Sequence, residues 1–224
     1  MRYTIEGGNL PALFITLDAG ERIVSEAGGR IWTRGDIATE TTTGGGIGKA
    51  LGRMLTGEGI MLSTYTAQSA GEIAFASSFP GSIVARELGA GEVLIAQKSA
   101  FLCATAGVEI STEVNQKASS GLLGGEGFIM QKFTGPGVVF LEIDGYCKEY
   151  DLAQGERIVC DTGLLAAMDS SVTMTVEQVK GLKNKLLGGE GLFDTVLTGP
   201  GKVYLQTMTV PRLAQLIMPY IPKK

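Results

Sequence analysis

The fold is decided by a motif that occurs three times: LDAGERIVSEAG from Leu17, LGAGEVLIAQKS from Leu88 and LAQGERIVCDTG from Leu152. The first GE glycines of the copies, at positions 20, 91 and 155, are therefore 71 and 64 residues apart. A motif that recurs at a nearly fixed interval predicts an internal repeat, and the repeat constrains the architecture more than any single residue does.

A second motif, which contains the triplet GEG, follows each copy. It reads LTGEGIM from Leu55, LGGEGFIM from Leu123 and LGGEGLF from Leu187. Repeats of this size bury too little surface to be stable alone, and no Pro/Ser/Gly-rich or charged linker separates them. The two motifs together predict a single domain of three repeats, at about residues 10–78, 79–143 and 144–208, with a tail at 209–224.

Each repeat has the pattern of short β-strands. In the third copy, residues 171–176 alternate polar and apolar side chains, as a half-buried strand does. Residues 192–197 and 202–207 are two more strand-like runs, and TGPG from Thr198 predicts that they form a hairpin. TGPG from Thr134 predicts the same hairpin in the second copy. We therefore expect an all-β protein, a sandwich or barrel of short antiparallel strands around a pseudo-threefold axis, with short helical excursions.

The C-terminal tail has a different pattern. Residues 211–218 can form two helical turns with a proline near the first position, and Pro219 and Pro222 end them. We expect the apolar side chains of these turns to dock onto the β-structure. The alternative is a peripheral membrane arm or partner-binding arm that ends in Lys223 and Lys224.

Composition excludes several functional classes. The sequence has no histidine, which removes Ser–His and Cys–His nucleophile pairs and the commonest transition-metal ligand. A net charge of −4 argues against nucleic-acid binding, which needs clustered Lys and Arg. Neither a secretory signal nor a run of about 20 apolar residues occurs, so we expect a cytoplasmic protein without a transmembrane segment. Cys103, Cys147 and Cys160 form no CxxC motif and are expected to be reduced and buried.

The repeated GE motif, the GGEG segments and the TGPG turns resemble the altered-inheritance-of-mitochondria family and its prokaryotic relatives of unknown function. The resemblance covers nearly the whole chain and is most specific at LGGEGFIMQKFTGPGVVFLE from Leu123. It implies a fold like that of the tryptophan attenuation protein, built from packed antiparallel sheets. It implies no catalytic residue. The family's fungal member is associated with mitochondrial inner-membrane organisation, a role not expected here because the chain shows no Arg- and Ser-rich transit peptide.

Two sets of residues could bind ligands. Three glutamates at the centres of the GEG triplets could together hold Ca²⁺ or Mg²⁺, although solvated glutamates at strand starts are the favoured interpretation: Glu58, Glu126 and Glu190. The glycine-rich segments before them could form anion nests with nearby cations. The residues of this hypothetical anion site are Gly44, Gly45, Gly46, Lys49, Arg53, Lys117, Lys180, Lys183 and Lys185. GGGIGKA does not have the spacing of a phosphate-binding loop, so nucleotide hydrolysis is not expected.

These observations favour a non-enzymatic structural or interaction protein that works as a scaffold and needs no cofactor. A homo-oligomer is expected, because exposed sheet edges and apolar residues of the glycine-rich segments favour partners: Ile47, Leu51, Met54 and Leu122. The alternative is a module that binds a small anionic ligand or a lipid headgroup through the glycine- and lysine-rich segments.

Overall fold

The computed structural model describes residues 1–43, 61–113, 129–161, 163–178 and 193–222. These residues are predominantly β. The strands are β1 Arg2–Glu6, β2 Ala12–Leu17, β3 Arg22–Glu26, β4 Arg30–Arg34, β5 Ile37–Thr43, β6 Met61–Ala67, β7 Gly71–Ala76, β8 Gly81–Leu88, β9 Val93–Gln97, β10 Phe101–Thr105, β11 Glu109–Glu113, β12 Met130–Thr134, β13 Gly137–Asp144, β14 Cys147–Leu152, β15 Arg157–Asp161, β16 Leu165–Asp169, β17 Thr173–Gln178, β18 Phe193–Thr198 and β19 Gly201–Gln206. One α-helix, α1 (Val210–Ile217), follows, and short 3₁₀ turns span Lys98–Ala100 and Met218–Tyr220.

The strands form four antiparallel sheets, and none of them closes on itself in the described parts of the chain. Sheet I has the order β1-β2-β7-β4, and sheet II the order β5-β6-β3-β10-β13-β8. Sheet III has the order β11-β12-β9-β16-β19-β14, and sheet IV the order β15-β18-β17. The expectation of an all-β protein with antiparallel sheets is thus confirmed, while the sandwich or barrel arrangement and the threefold axis stay predictions.

One pairing scheme recurs in three consecutive six-strand stretches: β2 to β7, β8 to β13 and β14 to β19. In each stretch the sixth strand pairs with the first and the third, and the fifth strand pairs with the second and the fourth. The third strand also carries a β-bulge at the same place in each stretch, at Ile31, Leu102 and Ala166. Each stretch therefore supplies two half-sheets, which belong to different sheets.

The hairpins predicted around the TGPG turns are wrong. β12 pairs with β9 and β11, whereas β13 pairs with β8 and β10, so the turn from Thr134 joins two different sheets. The turn from Thr198 likewise joins β18 in sheet IV to β19 in sheet III. A Pro-Gly turn reverses the chain locally, but the hydrogen-bond partners of the flanking strands are decided by which apolar faces are buried. Both turns contain a cis Gly–Pro peptide bond.

Three clusters of buried apolar side chains separate the four sheets. The first lies between sheets I and II and includes Leu13, Phe75 and Phe140. The second, between sheets II and III, contains Leu94, Phe133 and Leu141 among its members, and the third lies between sheets III and IV. Because sheets II and III contribute to a cluster on each of their faces, they are interior layers. Sheets I and IV each contribute to one cluster only.

The C-terminal helix does not dock onto the sheets, so that expectation is wrong. Helix α1 begins after Thr209, whose hydroxyl accepts a hydrogen bond from the Arg212 N–H at 3.2 Å. No side chain of α1 is buried, and Met218, which follows the helix, is 66% exposed. The helix is held near sheet IV by an ion pair of 3.7 Å between Arg212 and Asp161 on β15.

Candidate functional site

The glutamates of the GE motif hold the turns between the first and second strands of each stretch. The carboxylate of Glu92 accepts a hydrogen bond from the Gly89 N–H at 2.9 Å, and that of Glu156 accepts one from the Ala153 N–H at 2.8 Å. Glu21 accepts one from the backbone N–H three residues before it in the same way. Since each carboxylate satisfies a turn N–H, the three glutamates have a structural role. Hydrogen bonds from the N-terminal ammonium group and from this backbone N–H lower the pKa of Glu21.

A polar cluster joins the second and third stretches. One guanidinium nitrogen of Arg86, on β8, lies 2.6 Å from a carboxylate oxygen of Glu92 and 3.2 Å from one of Asp169 on β16. The other oxygen of Asp169 accepts a hydrogen bond from the Lys202 N–H at 2.9 Å. Burial raises the pKa of the nearby Tyr204 hydroxyl to about 12, and the carboxylates of Glu149 and Asp169 add to the increase while Arg86 opposes it. Because the Arg86 guanidinium contacts one carboxylate of its own stretch and one of the third stretch, the cluster holds the two stretches together.

Two strand pairings connect the three stretches within the sheets. In sheet II, β3 of the first stretch pairs with β10 of the second. In sheet III, β9 of the second stretch pairs with β16 of the third. We call these two pairings the internal junctions. In both, the second strand of one stretch pairs with the third strand of the next, and the side chains at the junction are mostly buried.

Among the described strands, two edge strands lack this pairing. β4 is the third strand of the first stretch and lies at the edge of sheet I, and β15 is the second strand of the third stretch and lies at the edge of sheet IV. Ile31 and Trp32 on β4 are 43% and 49% exposed, and Val159 on β15 is 59% exposed. Exposed apolar side chains on an unpaired strand are typical of a surface that binds another strand. We call β4 and β15 the open edges, and they are the candidate functional site.

The cysteines are all free, and burial suppresses their ionisation. Cys103 is fully buried, whereas Cys147 and Cys160 are only partly buried, so the expectation of three buried thiols is right for one of them. Burial, with the neighbouring carboxylates of Asp161 and Asp194, raises the pKa of the Cys160 thiol to about 11. Burial and Glu149 raise the pKa of Cys147 to about 11 as well. Thiols that stay protonated are poor nucleophiles, which gives these cysteines little reactivity.

The ligand-binding residues predicted from sequence lie outside the described residues. This holds for the three GEG glutamates and for every member of the hypothetical anion site, as it does for Ile47, Leu51, Met54 and Leu122. Within the described ranges, no group of three or more Asp, Glu or Cys side chains is placed to hold a metal ion. No helix there is long and apolar enough to cross a membrane.

Sequence reasoning missed the open edges, although a signal was present. β4 reads RIWTR, whereas its equivalents β10 and β16 read FLCAT and LAAMD. The two arginines and the tryptophan mark β4 as a strand in a different environment from its equivalents. The Arg86 cluster had no such signal, because Asp169 lies 83 residues from Arg86 and only the tertiary fold brings the two together.

The strand arrangement defines an all-β protein built from antiparallel sheets, and comparison with known proteins places it more closely. Residues 3–208 match the sequence profile of the family described as mitochondrial biogenesis AIM24. The chain therefore belongs to the mitochondrial biogenesis AIM24 family, which confirms the resemblance of its motifs.

Two similar proteins come from Streptococcus pyogenes. One, an uncharacterized protein of serotype M6, is 26% identical over 231 residues, which cover 99% of this chain and 92% of that protein. The other is a protein whose crystal structure matches with a TM-score of 0.79 at 22% identity, and the match covers 98% of this chain and 99% of the other. The second likeness shows that the fold is shared along the whole chain.

Proposed function

We propose that this protein is a non-enzymatic scaffold of the cytoplasm that acts by binding proteins, including copies of itself. The observation that carries the proposal is the pair of open edges, where Ile31, Trp32 and Val159 leave apolar surface in water on strands that have no neighbour on that side among the described residues. Unpaired strand edges are templates for strand addition from another chain, and proteins generally protect them when no partner exists.

The chemistry of the described residues supports a binding role. The carboxylates of Glu92 and Asp169 are held by Arg86, and the GE glutamates accept hydrogen bonds from their turns. With no histidine in the sequence, a general base would have to be a carboxylate or a lysine. Three free thiols are typical of a reducing compartment, which supports the cytoplasmic location.

We also propose that the three six-strand stretches are structural repeats in a fold like that of the tryptophan attenuation protein. The support is the pairing scheme common to the stretches, the β-bulge at the same position in each and the two internal junctions. A rigid body with repeated half-sheets and an open edge at each of its ends suits a scaffold.

Size-exclusion chromatography with light scattering, together with affinity capture from the native cytoplasm, tests the proposal. We expect a mass above that of the 23.5 kDa monomer or the recovery of a stoichiometric protein partner. A chain that stays monomeric at every concentration and captures no partner would refute the scaffold role.

The alternative, binding of a small anion or lipid headgroup, rests on the composition of the glycine-rich segments. Each segment follows one strand of a pair and precedes the other, as in β5–β6, β11–β12 and β17–β18. A thermal-shift screen with inorganic phosphate, nucleotides and anionic lipids tests this, since a bound ligand raises the melting temperature. A genuine effect should disappear when Lys49, Arg53, Lys180, Lys183 and Lys185 are replaced by Ser.

A further inference from the structure

The two open edges are the missing halves of one internal junction. β4 is equivalent to β10 and β16, which accept a neighbour in sheets II and III, and β15 is equivalent to β3 and β9, which are those neighbours. In the described parts of the chain, the half-sheets of sheets II and III meet at the internal junctions, whereas those of sheets I and IV have no such neighbour. The pairing that would complete the series is therefore β15 with β4.

We propose that β15 of one copy pairs antiparallel with β4 of a second copy, so that the chain assembles head to tail. The proposal rests on the proposed function, for which it names the surface and the partner. Sheet IV of one copy and sheet I of the next then form one continuous sheet of seven strands, in the order β17-β18-β15-β4-β7-β2-β1. The new junction has the same strand types as the two internal junctions.

The internal junctions also fix the register. In sheet III, Met168 lies opposite Ile95, and in sheet II the equivalent residue Ala104 lies opposite Val24. Met168 and Ala104 are both equivalent to Thr33 of β4, because in its own stretch each of these residues lies opposite the third residue of the sixth strand. Counting from the GE glycine, the residue of β15 equivalent to Val24 and Ile95 is Val159. Thr33 therefore lies opposite Val159, Trp32 opposite Cys160 and Arg34 opposite Ile158.

Burial at the equivalent positions supports this register. Ile31 and Trp32, which are exposed, are equivalent to Leu102 and Cys103 of β10 and to Ala166 and Ala167 of β16, all of which are buried. On the other strand, partly exposed Ile158 and Cys160 are equivalent to fully buried residues in both internal junctions: Ile23 and Ser25 on β3, and Leu94 and Ala96 on β9. A second copy would give the apolar residues of the open edges the environment that their equivalents have.

Charge favours the same pairing. Arg30 of β4 falls at the end of β15 that carries Asp161, which forms an ion pair of 3.7 Å with the exposed Arg212. Asp161 lies opposite Asp194, and Asp194 lies opposite Glu177, so this end of sheet IV has three carboxylates in a row, of which Glu177 forms an ion pair of 3.4 Å with Arg157. A cation from the second copy would offset this concentration of negative charge.

A disulfide trap tests the pairing and its register. Cys147→Ala and Cys160→Ser give a background in which only the fully buried Cys103 remains, and Ser is the natural residue at the β3 equivalent of Cys160. Thr33→Cys is placed in one protein and Val159→Cys in another, and the two are mixed under mild oxidation. Cβ atoms of directly opposed residues are about 4.5–5.5 Å apart, close to the range of a disulfide. We expect the disulfide between positions 33 and 159 to dominate over both homodisulfides.

A control strand keeps the test specific. Tyr150 lies on β14, which is also a sheet edge and is also exposed, so Tyr150→Cys should not couple preferentially with Thr33→Cys. Equal amounts of all crosslinks, or 33–33 crosslinks alone, would overturn the head-to-tail pairing. A chain with both substitutions that forms the 33–159 disulfide within a monomer would show that the open edges close on each other in one molecule, and this too would overturn it.

Light scattering separates this inference from the proposed function. Val159→Lys places a charge in the middle of β15, and we expect the mass to fall to the 23.5 kDa monomer, whereas Tyr150→Lys should leave the oligomer intact. An oligomer that survives Val159→Lys would overturn the junction and leave the scaffold role standing. A wild-type chain that is always monomeric and binds no partner would remove both.

Discussion

Replacement of Gly135 by Ala should destabilise the protein by forcing backbone atoms apart at a sheet-crossing turn. A Cβ built on Gly135 would lie 2.7 Å from the Leu88 Cβ and 2.8 Å from the Leu88 carbonyl oxygen, and it would also collide with the Gly89 carbonyl oxygen. None of these atoms can rotate away, because all belong to the backbone or lie next to it. Overpacking of this kind costs about 3 kcal/mol, at the upper end of its usual range.

For a chain of this length, each kcal/mol shifts the melting temperature by about 2–4 °C, so the expected decrease is about 6–12 °C. Gly89→Ala is the matched control, since Gly89 lies in the facing turn. There the nearest atom to a built Cβ is a Glu92 carboxylate oxygen at 3.6 Å, and no positive φ opposes the substitution. We expect Gly89→Ala to be neutral or stabilising by up to about 1 kcal/mol through the unfolded chain.

Thermal unfolding followed by circular dichroism measures both variants, and urea titration gives the free energy of unfolding independently. Gly199→Ala should reproduce the loss, because its Cβ would meet the Leu152 Cβ at 2.6 Å in the equivalent turn. If Gly135→Ala melted within a degree or so of Gly89→Ala, the close approach of β8 to the TGPG turn would be incorrect, as would the reasoning that places these turns between sheets.

Three further predictions concern the polar groups. Arg86→Ala should lower the free energy of unfolding by about 1–3 kcal/mol, because it leaves Asp169 without its cation in a partly buried cluster. A change near zero in the free energy measured by urea titration would contradict this. Glu156→Ala should cost about 1 kcal/mol, the usual worth of the hydrogen bond from the Ala153 N–H, and Glu156→Gln, which keeps an acceptor oxygen, should lose less. Alkylation of Cys160 should be slow at pH 8 and should become faster as the pH approaches 11, because the raised pKa keeps the thiol protonated. Mass spectrometry measures the extent of labelling. Rapid labelling at pH 8 would be inconsistent with the burial of this thiol.

The sequence indicated which segments form strands and where the chain turns, because alternation, glycine and proline act locally. It could not show which strands pair. TGPG from Thr134 has the form of a hairpin turn, yet Met130 of β12 pairs with Gln97 and Leu141 of β13 pairs with Val84, in different sheets. The partner of each strand depends on which side chains are buried on both faces of sheets II and III. The sequence of a single strand does not contain this information.

The candidate site shows the same limit. The turn made by the GE motif is local, since its hydrogen bonds span only three residues, as between Glu92 and Gly89. An open edge, by contrast, is recognised only by comparison with equivalent strands that do have a neighbour. Here the comparison is with the pairings of β3 with β10 and of β9 with β16. The docking of helix α1 was wrongly expected because its apolar residues alone do not specify a partner surface.

The strand pairing that joins one stretch to the next could be repeated any number of times. The second strand of any stretch meets the third strand of its successor, and nothing in the described pairing limits the series to three. A gene that gained or lost one whole stretch of six strands would keep each kind of contact already in use. Growth by duplication would therefore require no redesign of the core.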